Sequence, residues 1–206
     1  VFDWLATWVT DVIESLGYPG LTILVAAENI FPPIPSEVIL PLAGFLTGQG
    51  RFSFVLVLIA STLGSLIGAL VLYAIGMGLG QAGIRRLLVR YGHLALITPE
   101  DLTRAEDWFD RWGPIAVFTG RLVPVVRSLV SLPAGYRRMP LVQFVPLTIF
   151  GSLLWNGALV ALGWALGENW HSIEEYVGLL QYVVIAVVAL LVLKFVWSRL
   201  RHRRAA

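Results

Sequence analysis

The chain has 206 residues, of which 57% are hydrophobic and only 14% charged, with a net charge of +2 and a mean hydropathy of +0.78. Soluble domains carry about 45–50% apolar and about 25% charged residues, and a small domain with this excess would show large apolar patches to water. The balance excludes an ordinary soluble globule, a disordered chain and a nucleic-acid-binding domain, and it points to an all-α integral membrane protein.

Residues 3–16 place Trp4, Leu5, Trp8, Val9, Val12, Ile13 and Leu16 on one helical face, with Asp3, Thr7, Asp11 and Glu14 opposite. The pattern predicts an amphipathic interfacial helix over 1–17. It is interrupted by acids and followed by no small-residue cleavage site, so it is not expected to be a signal peptide. Gly17-Tyr18-Pro19-Gly20 should break it. Residues 21–30 are apolar until Glu28 and Asn29, and at about 1.5 Å per residue they reach only about half of a ~30 Å hydrocarbon core. Pro32, Pro33 and Pro35 cannot continue a helix. A second short apolar arm follows Ser36 and Glu37. Two short arms about a charged, proline-rich turn predict a re-entrant hairpin, which is stable at membrane depth only inside protein or beside a wet cavity.

Residues 53–80 are long enough to span with tilt. Gly64 and Gly68, with Ser61 and Ser65, mark a close helix–helix contact. Tyr73 in this span is expected to pack. The polar stretch 81–112 contains Arg85, Arg86 and Arg90, then Thr98-Pro99-Glu100-Asp101, a helix start with an N-cap, a first-turn proline and first-turn acids. That helix should end near Trp112-Gly113-Pro114. Short apolar arms recur on either side of Gly120-Arg121-Leu122-Val123-Pro124-Val125-Val126-Arg127, and a span over about 140–166 follows. An acidic loop (Glu168, His171, Glu174, Glu175), a last span over 176–198 and the basic tail 199–206 complete the chain. Trp108, Trp112, Trp170 and Trp197 fall near element boundaries, as interface anchors do.

The order is a hairpin and a span, given twice: 18–80, then 113–167, joined by the connector 81–112. Arginines at 85–90, at 137–138 and in the tail predict one cytoplasmic side and a cytoplasmic C-terminus. The two units then run in opposite directions, as in transporters with inverted-topology repeats and a midplane site. Arg51 would lie on the outer side, against the bias.

Four charges sit inside apolar or broken segments: Glu28, Glu37, Arg121 and Arg127. Two structural ion pairs would account for them, but buried ionisable groups in membranes are functional candidates by default. A guanidinium stays charged and forks onto phosphate oxygens, so Arg121 and Arg127 suit a phosphate-bearing lipid. Burial favours a protonated acid and a nearby arginine favours the carboxylate. A phosphate arriving at the arginines would thus let Glu28 or Glu37 take a proton, coupling transport to protons. Asn29, Ser36 and Asn156 are candidate cavity-lining residues, and a membrane asparagine equally serves as a helix–helix hydrogen-bond partner. His93, His171 and His202 lie far apart, and there is no cysteine. No metal site, disulfide or cofactor is expected.

The stretch Glu28–Glu37 and the series Gly120-Arg121…Pro124…Arg127…Pro133-Ala134-Gly135…Met139…Phe144…Gly151…Trp155 resemble the DedA family, also called the SNARE-associated or VTT-domain superfamily, over residues 17–165. The resemblance implies re-entrant hairpins in inverted repeats and lipid translocation. In bacterial members this means undecaprenyl phosphate recycling for the cell envelope at the inner membrane, and in eukaryotic relatives phospholipid scrambling. It places the family's membrane acids at Glu28 and Glu37 and its essential arginines at Arg121 and Arg127. The second acid is often Asp after Pro-Gly; here it is Glu37 after Pro35-Ser36. The expected activity is a proton-coupled lipid-phosphate flippase rather than an enzyme. The alternatives are a phospholipid scramblase, a proton-coupled cation or drug exchanger, which two central arginines disfavour, and a lipid phosphatase, which lacks a histidine in any apolar segment. A passive scaffold would tolerate loss of the four charges. Association into a homo-oligomer stays open.

Overall fold

The computed structural model describes residues 3–31, 36–91, 98–123 and 126–168, all within one compact unit. The proline turn at 32–35, Pro124, His93, the acidic loop beyond Glu168, the last span at 176–198 and the basic tail lie outside the described residues. The fold is all-helical: α1 (Asp3–Ile30), α2 (Ser36–Gly48), α3 (Phe54–Tyr91), α4 (Pro99–Trp112), α5 (Ile115–Gly120), α6 (Val126–Leu129), α7 (Ser131–Tyr136) and α8 (Leu141–Glu168). By length and composition, stretches of α1, α3 and α8 suffice to cross a membrane, though the one in α1 is divided at Gly17. At 13 residues, α2 reaches about 20 Å and is too short.

Two of the long helices are interrupted. In α1 the break is confined to Gly17, at φ 62° and ψ −143°, a conformation that only glycine adopts without strain. Tyr18, Pro19 and Gly20, expected to be part of the break, are helical, because proline is tolerated in the first turn of the helix that restarts there. The chain turns so tightly that a Cβ on Gly20 would lie 2.8 Å from the Val12 carbonyl oxygen. The segment before Gly17 packs on protein: Val9 and Ile13 are buried in one cluster with Leu21, Ile39 and Leu46. Glu14 ion-pairs with Arg51, which gives that arginine a local partner. In α3 the interruption is at Gly80 (φ 64°, ψ 174°).

The start of α4 follows its sequence. Thr98 Oγ1 accepts from the Asp101 amide at 3.3 Å, and the Thr98 amide donates to Asp101 Oδ2 at 2.9 Å, a reciprocal capping box. The helix ends at Trp112, before Gly113. Its inner face buries Leu102, Ala105, Phe109 and the carboxylate of Glu106. Glu106 accepts from Tyr136 Oη at 2.7 Å and from Gln81 Nε2 at 2.9 Å, and it pairs with Arg85. Asp110 pairs with Arg137. Arginines from α3 and from the end of α7 thus meet on one connector.

The long helices are held by contacts that occur twice. A Cβ on Gly44 of α2 would lie 2.1 Å from the Val160 carbonyl oxygen of α8, and one on Gly163 would lie 2.0 Å from that of Pro41. The same arrangement joins α7 to α3: Gly135 lies under the Tyr73 carbonyl (2.1 Å) and Gly76 under that of Leu132 (2.4 Å). Gly64 of α3 meets α1 at the Thr22 carbonyl (2.5 Å), as Gly151 of α8 meets α5 at that of Phe118 (2.9 Å). The local sequences agree: Ser61-Thr-Leu-Gly64-Ser65-Leu-Ile in α3 and Thr148-Ile-Phe-Gly151-Ser152-Leu-Leu in α8. The backbones touch with no side-chain layer between them, the close approach that small residues allow in membrane helices.

Candidate functional site

The end of α1, the break after α5, the short α6 and the middle of α3 and α8 converge on one buried cavity. Glu28 is 2% exposed, and its carboxylate accepts from Arg127 Nη2 in an ion pair that is almost entirely out of solvent. The first residue after α5, Arg121, is also 2% exposed. Its Nη2 donates to Ser131 Oγ at 2.7 Å, and its Nη1 reaches Asn29 Oδ1 at 3.5 Å, the limit of a hydrogen bond. Gly151 makes room for this arginine: a Cβ there would lie 2.8 Å from Arg121 Cβ.

A serine ties three helices together below the charges. Asn29 Nδ2 of α1 donates to the Ser65 carbonyl oxygen of α3 at 2.7 Å, and Asn156 Nδ2 of α8 donates to Ser65 Oγ at 3.1 Å. The Arg127 guanidinium carbon lies 5.9 Å from the centre of the Trp155 ring, within cation–π range. Ser152 completes the lining. The free space holds about one water molecule.

Of the residues singled out in the sequence, Glu28, Asn29, Arg121, Arg127 and Asn156 come together here. Both asparagines do double duty, lining the cavity and bonding across helices. Glu37 does not join them: it is exposed in the first turn of α2 and does not line the cavity. Ser36 is fully buried, yet it too is absent from the lining. Helical geometry separates the two: successive residues point about 100° apart, so Ser36 takes the buried face of α2 and Glu37 the exposed one. Tyr73 packs, as expected, with its Oη donating to the Met139 carbonyl at 2.6 Å. Sequence reasoning missed Ser131 and Ser152 as site residues and took Ser65 for packing alone. Serines at helical spacing in an apolar run carry no mark that separates the two uses. Trp155 stands in the motif series, but nothing in the sequence says that its ring faces an arginine.

Apolar helices of spanning length around a buried, charged cavity define a multi-pass helical membrane protein with a polar site in its interior. Residues 34–165 match the VTT domain, and the chain belongs to that family. It is 42% identical over 184 residues to an "alkaline phosphatase-like protein" of Lactococcus lactis subsp. cremoris, covering 89% of this chain and 86% of that one. It is 33% identical over 197 residues to "undecaprenyl phosphate transporter A" of Staphylococcus aureus (94% and 97% covered). The protein of that name in Bacillus subtilis is 34% identical over 193 residues (93% and 91% covered). No solved structure matches the chain.

Proposed function

We propose that the protein carries a phosphate-bearing lipid, undecaprenyl phosphate first among the candidates, between the leaflets of a bacterial inner membrane. Arg121 and Arg127 receive the phosphate and Glu28 exchanges a proton. The observation that carries this reading is the buried ion pair of Glu28 with Arg127 beside a second, fully enclosed guanidinium. A carboxylate bonded to Arg127 Nη2 occupies the position that a phosphate oxygen would take. A phosphate that takes Arg127 leaves Glu28 buried without its cation, the condition under which a carboxyl binds a proton. Glu37, on the outer face of α2, is then a relay between Glu28 and water. Asn29, Ser36 and Asn156 are proposed as polar wall and support. The transporter names of two relatives are consistent with a lipid phosphate as cargo.

The doubled contacts support two re-entrant hairpins in inverted repeats: α1 and α2 with the span α3, and α5 to α7 with the span α8. Each hairpin's second arm, α2 or α7, rests on the other repeat's span. Arg85 and Arg137, gathered on α4, support a cytoplasmic side for that end, and the arginines of the tail support the same side for the C-terminus.

Reconstitution into liposomes with a labelled polyprenyl phosphate, followed across imposed proton gradients, tests the reading. Movement of the label that responds to the gradient, with no phosphate released, is the expected result. Movement indifferent to the gradient sinks the coupling and favours a scramblase. Release of phosphate favours the activity named for the Lactococcus relative. Arg127→Lys should transport at least about tenfold more slowly while folding normally, because an ammonium offers point donors where a fork is required.

A further inference from the structure

Two N–H groups of the cavity's lining residues have no acceptor among the described residues. Arg121 Nε and Trp155 Nε1 are both buried without a hydrogen-bond partner there, and both residues line the cavity. Buried polar atoms in native proteins are nearly always paired, so two orphaned donors at one cavity mark a position that an acceptor fills. An indole N–H donates and never accepts, as does a guanidinium N–H. The missing group therefore offers lone pairs, and beside Arg127 it carries negative charge. Glu28 does not meet the need: it accepts from Arg127 and from neither of these two donors.

We propose that Trp155 is a third phosphate-binding residue. Its Nε1–H donates to one phosphate oxygen, while its ring face steadies the Arg127 guanidinium for another. The proposal rests on the lipid-phosphate reading and deepens it. With room for about one water, the cavity admits a phosphate only as Glu28 withdraws, so the tryptophan bond forms in the loaded state. A resident water serving both donors is the competing occupant.

The test uses the full-length protein with isotope-labelled tryptophan in nanodiscs, titrated with dodecyl phosphate and, in parallel, with uncharged dodecyl maltoside. The Trp155 indole resonance is assigned by its loss in Trp155→Phe. Its proton should move downfield with dodecyl phosphate and stay in place with the maltoside. Trp155→Phe keeps a ring face for Arg127 but removes the donor, and it should weaken dodecyl phosphate binding at least about tenfold. If the wild type binds, Arg127→Ala does not, and either the indole stays unmoved or Trp155→Phe binds equally well, the tryptophan assignment is overturned and the lipid-phosphate reading stands. If the wild type does not bind dodecyl phosphate, both fall. Should Trp155→Phe fail to fold, Trp155→Tyr supplies the assignment, and the wild-type shift decides.

Discussion

Glu28 and Arg127 illustrate how much a buried charge depends on its partner. Removing one member of such a pair leaves the other enclosed and uncompensated, at a cost of about 3–5 kcal/mol, whereas removing both is far milder. Glu28→Ala should therefore lower the thermal midpoint in detergent strongly. Glu28→Ala combined with Arg127→Ala should recover a large part of that loss without restoring transport. Equal destabilisation by the single and double variants would show that the pair is not coupled in the folded protein. The residues themselves were legible in the sequence, because charge inside an apolar run stands out whatever the fold. Their pairing was not. Glu37 looked equivalent to Glu28, and only the start of α2 at Ser36 decides that one position faces inward and the next outward.

The helix crossings show why element-level reading succeeded in some places and failed in others. Local chemistry carried α4: Thr98, Pro99 and Asp101 are within one turn of each other, and the capping box they form needs no other part of the chain. It also carried the closeness implied by Gly64 and Gly68. The partners of the glycines were hidden, because a crossing between Gly135 and Tyr73 joins residues far apart in sequence. That geometry makes a contrast between glycines testable. Gly135→Ala would set a methyl 2.1 Å from the Tyr73 carbonyl oxygen, so the α3–α7 crossing must open, at a cost of roughly 1–3 kcal/mol or more. Gly78→Ala, in α3 near that crossing's Tyr73 but with nothing within 4 Å of the added atom, should be neutral or stabilise by up to about 1 kcal/mol. Thermal melts of the two variants side by side check this, and similar midpoints for both would contradict the packing described.

At the scale of the whole molecule, α4 clamps the two spanning units through Glu106. Burial pushes this carboxyl up, but the hydrogen bonds from Tyr136, Gln81 and Arg85 outweigh that and hold it below its ordinary 4.5. A depressed value in the folded state stabilises the fold above the unfolded value, and the contribution is lost as pH falls through the folded one. Glu106→Gln should thus lower the thermal midpoint at neutral pH, and the gap to wild type should narrow as pH is taken below 4.5. A gap that widens in acid would reverse the assigned sign. The paired crossings of α2 with α8 and of α7 with α3 also constrain how the chain is made. Each joint is a dovetail whose tenon and socket come from opposite halves of the described sequence. During synthesis α2 and α3 lack their counterparts until the ribosome has delivered α7 and α8, so a chain stopped after α4 keeps the α1–α3 contact but has neither joint. Final assembly is therefore a late event, in which both joints close on a nearly finished chain.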